Sequence, residues 1–289
     1  MPSGEGLGRS GWEGIAGARI SGDPGSGKSS LIYAVAYELG LGEVLRWSIT
    51  SRSTGQQGLY QYDAIGRLQE AQLRLQEAQL GLLRKGKPLD ISPSPELEPE
   101  EDRGIGKYIK LGPLGTALLP TDRPRALLID EIDKSDLDLP NDLLHVFEEG
   151  EYTIPELERL TQSDVTVKDH QGNDAPIHKG RVKCRQFPFV ILTSNGEREF
   201  PPAFLRRCLQ LEMKKPDDRE WLAEIVRGRL GDSIAAEADP LITKFLESRK
   251  KGKVAIDQLL NTLFLLKNDL GVTKEDHDAL SERLLTKLG

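Results

Sequence analysis

Ile20-Ser-Gly22-Asp23-Pro24-Gly25-Ser26-Gly27-Lys28-Ser29-Ser30 is the stretch that decides how the rest of the chain is read. From Gly22 to Ser29 it matches Gly-x-x-x-x-Gly-Lys-Ser/Thr. The glycines let backbone N–H groups converge on an anion, the Lys28 ammonium neutralises phosphate oxygens, and the Ser29 hydroxyl suits Mg²⁺. A helix starting at Lys28 adds its positive dipole end. A glycine-rich turn alone would carry no such meaning, so the flanks matter. Residues 15–21 read as a short strand and 29–39, closed by Gly40, as an apolar helix. Gly22, Asp23, Pro24, Gly25, Ser26, Gly27, Lys28, Ser29 and Ser30 are therefore the candidate phosphate contacts.

Ala126-Leu-Leu-Ile129-Asp130-Glu131 is the second element. Its apolar run suits a buried parallel strand, and it ends in two adjacent carboxylates. Ligands of α/β sheets gather at the carboxyl ends of strands. On that reading Asp130 reaches Mg²⁺ through its water shell, Ser29 is the other metal contact, and Glu131 polarises an attacking water. Two acids at a strand end are by themselves more often a solvated turn or helix cap; the upstream phosphate loop is what gives them a role. The third element, Phe189-Val-Ile-Leu-Thr193-Ser-Asn195, is another apolar strand with a polar end. Asn195 is a candidate to hydrogen-bond the attacking water or the γ-phosphate, although Asn at a strand end is ordinarily a turn former.

In this order the three elements resemble the AAA+ ATPases, as Walker A, an Asp-Glu Walker B and sensor 1. Further stretches look like the MoxR branch: Gly112-Pro-Leu-Gly115, Ile132-Asp-Lys134, Phe147-Glu-Glu-Gly-Glu-Tyr-Thr-Ile154, and Thr193-Ser-Asn-Gly-Glu-Arg198 followed by Pro202-Ala-Phe-Leu-Arg-Arg-Cys208. The similarity covers 15–215 well and the tail more loosely. It implies an α/β, three-layer P-loop NTPase domain with a parallel sheet over 15–213, then a small all-helical lid over 214–289. It further implies ATP and Mg²⁺ as ligands and self-assembly into a ring, a hexamer. Arg206 or Arg207 would project as a finger into the neighbouring subunit's ATP site. An insertion over 151–184 would face the ring pore or a substrate. Partners in this branch are often von Willebrand factor A domain proteins, and some relatives serve metallocofactor insertion or prokaryotic conflict systems. Two departures stand out. The first strand is weakly apolar and little precedes it, where relatives build an adenine pocket. The expected lid arginine of sensor 2 has only Arg249 or Lys253 as substitutes, in a cluster that also reads as a basic surface loop.

Elsewhere, residues 1–14 read as a flexible leader. A helix over 63–85 carries the tandem heptads Leu68–Arg74 and Leu75–Gly81, whose Leu68, Ala71, Leu75, Ala78 and Leu82 share one face expected to pack on its own domain, a partner-binding helix being the alternative. The Pro- and acid-rich stretch 92–102 is the core of a flexible insertion over about 86–104. A turn is expected at 112–115 and a helix over 139–149. Short strands at 152–154 and 165–167 are expected to form a hairpin. From Lys214 on, apolar faces recur at helical spacing: Trp221, Leu222, Ile225, Val226 and Leu230, then 241–246, 256–264 and 280–288.

The bulk composition narrows the function classes. The 289 residues carry 39 Lys and Arg against 46 Asp and Glu, a net charge of -7, which disfavours a general nucleic-acid or anionic-membrane binder. Two cysteines make no disulfide framework or Cys-rich zinc site, and the four histidines sit in no metal-ligand spacing. With no signal-peptide pattern or long apolar run, a cytoplasmic protein is expected. The leading expectation is an ATPase that remodels or activates a partner protein. The other is a nucleotide-gated scaffold or regulatory subunit with little turnover. A P-loop kinase fits the Asp-Glu pair poorly, and the absence of an Asn-Lys-x-Asp motif disfavours a GTPase.

Overall fold

The computed structural model describes residues 17–85, 104–214, 218–251 and 256–267. The chain opens with β1 (Gly17–Ser21), α1 (Lys28–Leu39), β2 (Leu45–Ser48), α2 (Gly55–Leu59), β3 (Tyr60–Tyr62) and the long α3 (Ala64–Lys85). Then come β4 (Ile109–Leu111), α4 (Pro113–Ala117), β5 (Ala126–Asp130), α5 (Leu139–Glu149), β6 (Glu151–Thr153) and α6 (Pro155–Glu158). β7 (Asp164–Lys168), β8 (Asp174–His178), β9 (Arg181–Lys183), β10 (Phe189–Ser194), α7 (Pro202–Leu205) and β11 (Cys208–Glu212) follow. After these stand α8 (Arg219–Leu230), α9 (Asp232–Glu237), α10 (Asp239–Lys251) and α11 (Ile256–Lys267). The expected leader, the acidic stretch 92–102 and the face at 280–288 lie outside the described residues.

Contacts divide the chain into two compact units, Met1–Arg19 with Leu31–Gln210, and Ile20–Ser30 with Leu211–Gly289. The first is a three-layer α/β domain with a parallel core sheet flanked by helices. Strand order in that sheet is β11-β1-β10-β5-β2. All five residues of β5 are buried, as a continuous Ala-Leu-Leu-Ile run demands of a strand covered on both faces. β5 pairs in parallel with β10, Ile129 opposite Leu192, and with β2, Ser48 opposite Asp130. The carboxyl ends of the three strands therefore lie on one sheet edge. α5 packs its apolar side through Leu139, Leu143, Leu144 and Phe147 and stops at Gly150, whose left-handed φ of 62° closes the last turn.

A second sheet of the same unit runs β3-β4-β7-β8-β9-β6. Here the expected hairpin of 152–154 with 165–167 gives way to another pairing. β7 forms its hairpin with β8, and β6 pairs with β9, Tyr152 opposite Val182. The reason lies in the turn: Asp169, buried, accepts the Gln171 and Asn173 N–H groups through Oδ1, folding the chain back two residues after Val167. The stretch 112–115, expected as a turn, is instead the start of α4, whose five residues are all buried. Pro113 sits at its first position, where a missing N–H costs nothing.

The face of α3 expected to pack also fails to do so: Leu68 and Leu75 are 60% and 65% exposed. Polar contacts hold α3 at its N-terminal half. Asp63 Oδ1 accepts the Gly66 N–H at 2.8 Å as a cap, and Glu70 is bonded by Lys107 and Tyr108. Strong helix formers at 68–78 sustain the helix without burial. The side chains of Ala78 and Leu82 lie outside the described set.

In the second unit the helices share a core of Leu222, Val226, Ala238, Ile242, Phe245, Ile256, Leu259 and Leu263. Trp221 and Phe264, at the margins of their predicted faces, are exposed. No helix among the described residues is long and apolar enough to cross a membrane.

Candidate functional site

In the second unit, the stretch from Ile20 to Ser30 forms a tight loop leading into α1. Gly25 and Gly27 take φ of 75° and 88°, a region that side-chain-bearing residues enter at a cost. The Ser26 N–H bonds the Asp23 carbonyl at 3.3 Å, and the Ser30 N–H bonds that of Gly27 at 3.0 Å. Lys28 folds back over this loop, its Nζ donating to the Gly22 and Asp23 carbonyls at 2.7 and 2.8 Å, and is only 7% exposed. A buried ammonium against a glycine-rich backbone is a concentrated positive site. Among the described residues the buried Ser26 Oγ lacks a hydrogen-bond partner, so the loop holds an unsatisfied polar atom beside that charge. These features fit a phosphate. The loop is tied at its start by the Met213 N–H, which donates to the Ser21 carbonyl at 2.8 Å. Gly22 is crowded there, since a Cβ would stand 2.6 Å from the Met213 carbonyl oxygen.

In the first unit, the ends of β5 and β10 meet through side chains. Asp130 is 5% exposed and both its oxygens are engaged. Oδ1 accepts the Thr193 hydroxyl at 2.7 Å, and Oδ2 accepts Arg46 Nη2 at 2.6 Å. The same Thr193 oxygen accepts the Glu131 N–H at 2.9 Å. Glu131 adopts a left-handed backbone, φ 60° and ψ 48°, a region that residues with a Cβ enter at a cost. Its carboxylate pairs with Lys134 Nζ at 2.7 Å, and that bond holds the Lys134 pKa above its ordinary value. A carboxylate is an acceptor-only group with two hard oxygens. Asp130 with its hard oxygens thus fits a contact to a Mg²⁺ water shell, as the Ser29 hydroxyl does in the other unit. Among the described residues no three His, Cys, Asp or Glu group as a metal cage; a cation held mainly by phosphates and water needs none.

Asn195 is half-buried at the end of β10, and its N–H donates to Asp133 Oδ2 at 2.8 Å. The Glu197 N–H reaches the same oxygen at 3.1 Å, so Asp133, 2% exposed, clamps the turn that carries Asn195. Nearby, Arg19 lies over the Phe200 ring at 4.9 Å and bonds Ser194 Oγ at 3.4 Å. Burial lowers the Arg19 pKa, against the opposing charge of Asp133.

The two arginines after α7 differ. Arg207 forms an ion pair with Glu148 of α5, whereas Arg206 is exposed and its side chain bonds no described residue. In the second unit Arg229 on α8 reaches Ser30 Oγ at 3.3 Å, directly after Lys28 and Ser29. Arg249 stacks over Phe245 at 5.2 Å, and Lys253 lies outside the described residues. Sequence reading thus missed Thr193, Arg46, Asp133 and Arg229. Thr193 and Asp133 lie inside stretches quoted above and were within reach. Arg46 needed the β2–β5 register, and Arg229 needed the fold of α8. A scan with protein-family models finds no match to the chain, and no curated protein matches it.

Proposed function

We propose that this chain binds and hydrolyses ATP with Mg²⁺, as an AAA+-type ATPase of the MoxR-like kind that assembles into a hexameric ring and remodels or activates a partner protein. The observation that carries the reading is Lys28, a buried ammonium folded over a glycine-rich loop that also holds an unsatisfied hydroxyl. The second support is the Asp130–Glu131 pair at the end of the buried central strand. Lys28, Ser26 and the loop backbone bind the phosphates; Ser29 and Asp130 would hold Mg²⁺, which supplies charge neutralisation at the phosphate oxygens. Glu131 takes the proton of the attacking water, and Asn195, fixed through its backbone by Asp133, orients that water. Arg229 takes the part of the lid arginine, for which the sequence offered Arg249 or Lys253 only as substitutes beside a surface-loop reading. Of the two finger candidates Arg206 is the one whose guanidinium has no partner among the described residues; Arg207 braces α7 against α5.

The test is ATP turnover at concentrations that allow assembly, for the wild type, Glu131→Gln, Arg206→Ala and Arg207→Ala. The reading expects Glu131→Gln to bind nucleotide and lose turnover by a factor of about 10² or more. It expects Arg206→Ala to lose turnover, by a larger factor than Arg207→Ala. Wild-type binding without any turnover that depends on Glu131 would refute it.

One observation favours a second reading, the nucleotide-gated scaffold with little turnover: the Glu131 carboxylate is already occupied by Lys134. If that pair restrains the base, Lys134→Ala raises turnover; if it is incidental, the rate stays put.

A further inference from the structure

Arg46 has no part in the roles above, yet it holds the carboxylate on which they turn. It stands on β2, where burial alternates: Leu45 and Trp47 are buried, Arg46 and Ser48 exposed. Ser48 is the register partner of Asp130 and Arg46 that of Leu128, so Arg46 is set two residues back from the strand end, on the same sheet face as Ser48. From there its Nη2 reaches Asp130 Oδ2 at 2.6 Å, a charge-assisted bond. The pair is asymmetric: the Asp130 side chain is 8% exposed and that of Arg46 55%. The carboxylate is rooted in the core, with its other oxygen engaged by Thr193, while the guanidinium is free to turn out into water.

We infer that Arg46 sets the Mg²⁺ requirement of the site: its guanidinium and the metal compete for the charge of Asp130, so the metal engages Asp130 only by sharing or displacing it. The inference rests on the nucleotide reading given above. Because one competitor is more than half solvated, the contest is graded: it shifts the metal concentration at which the site fills and leaves nucleotide binding without metal untouched. An ordinary edge-strand ion pair would contribute a little to stability and nothing to metal dependence.

The experiment measures binding of a fluorescent ATP analogue by the full chain across a Mg²⁺ series and in EDTA, with thermal melting alongside. In Arg46→Gln the Mg²⁺ concentration for half-maximal binding is expected to fall roughly threefold to tenfold, the scale of a charge–charge interaction fully screened by water. Affinity in EDTA is expected to stay as in the wild type. Arg46→Met carries the same expectation should the Gln variant not fold, and Arg46→Lys, which keeps the charge, should shift less than either. An Mg²⁺ midpoint that is unmoved or raised, with nucleotide binding intact, overturns this inference alone. A wild type that binds no nucleotide at any Mg²⁺ concentration, as Lys28→Ala is expected to behave, overturns the nucleotide reading and this inference with it.

Discussion

Thr193 joins two strand ends through one atom: its Oγ1 donates to Asp130 Oδ1 at 2.7 Å and accepts the Glu131 N–H at 2.9 Å. The residue is 1% exposed, so its hydroxyl has no water to turn to. Thr193→Val keeps the shape and removes the bonds, and should cost about 1–3 kcal/mol, the penalty for leaving buried polar groups unpaired. Chemical denaturation reads this directly. Thr193→Ser, which keeps the hydroxyl, should recover most of it; equal losses in the two variants would mean that packing of the methyl group, and not the bridge, is what matters.

Glu131 pays for its position with a left-handed backbone, worth about 1–2 kcal/mol in a residue with a Cβ. Glycine has no such cost. Glu131→Gly is therefore expected to be at least as stable as the wild type while losing turnover, because the exposed Lys134 pair it gives up contributes little. A clear drop in its melting temperature would show that the Glu131 side chain supports the fold after all.

Gly115, the last residue of the 112–115 motif, is needed for space. A Cβ there would collide with the Leu59 carbonyl oxygen and stand 2.7 Å from the Tyr152 hydroxyl. Backbone cannot yield as a flexible side chain does, so Gly115→Ala should destabilise the first unit by about 1–3 kcal/mol, the usual cost of overpacking. Denaturant midpoints of the two proteins, at unchanged m-value, would measure it.

Tyr60 gives the fold an alkaline limit. Its hydroxyl donates to Glu156 Oε2 at 2.9 Å, and burial, aided by that bond, pushes its pKa up to about 12. Burial raises Tyr152 as well. A raised folded-state pKa means that the neutral phenol is favoured in the native chain. The stability it brings is complete below the unfolded value near 10 and is lost as pH climbs from about 10 to 12, at about 1.4 kcal/mol per pH unit. Tyr60→Phe should flatten the decline in that window by this amount. An identical slope in wild type and variant would remove Tyr60 from the account.

Much of the framework was legible in the residues themselves. The buried runs at 126–129 and 189–192, the helix over 139–149 and the helical faces at 222–226 and 256–263 are set by local periodicity, because a covered strand or helix face must be apolar at fixed intervals. The glycine loop before Lys28 was equally readable, since its chemistry is contained within a few consecutive residues. Strand partners, contacts distant in sequence and the exposure of α3 were decided only by the tertiary structure. A pattern of alternating residues states which face is buried but not which strand lies beside it, and so β6 found β9 in place of β7. A heptad of leucines states that a helix has an apolar side, but a covering surface must exist for that side to be buried, and none among the described residues covers Leu68 and Leu75. The candidate site shows the same division. Asp130 and Glu131 were marked by their strand end, whereas the partners that hold them, Arg46 and Thr193, come from strands brought alongside only by folding, because an ion pair needs distance and register that no single segment specifies.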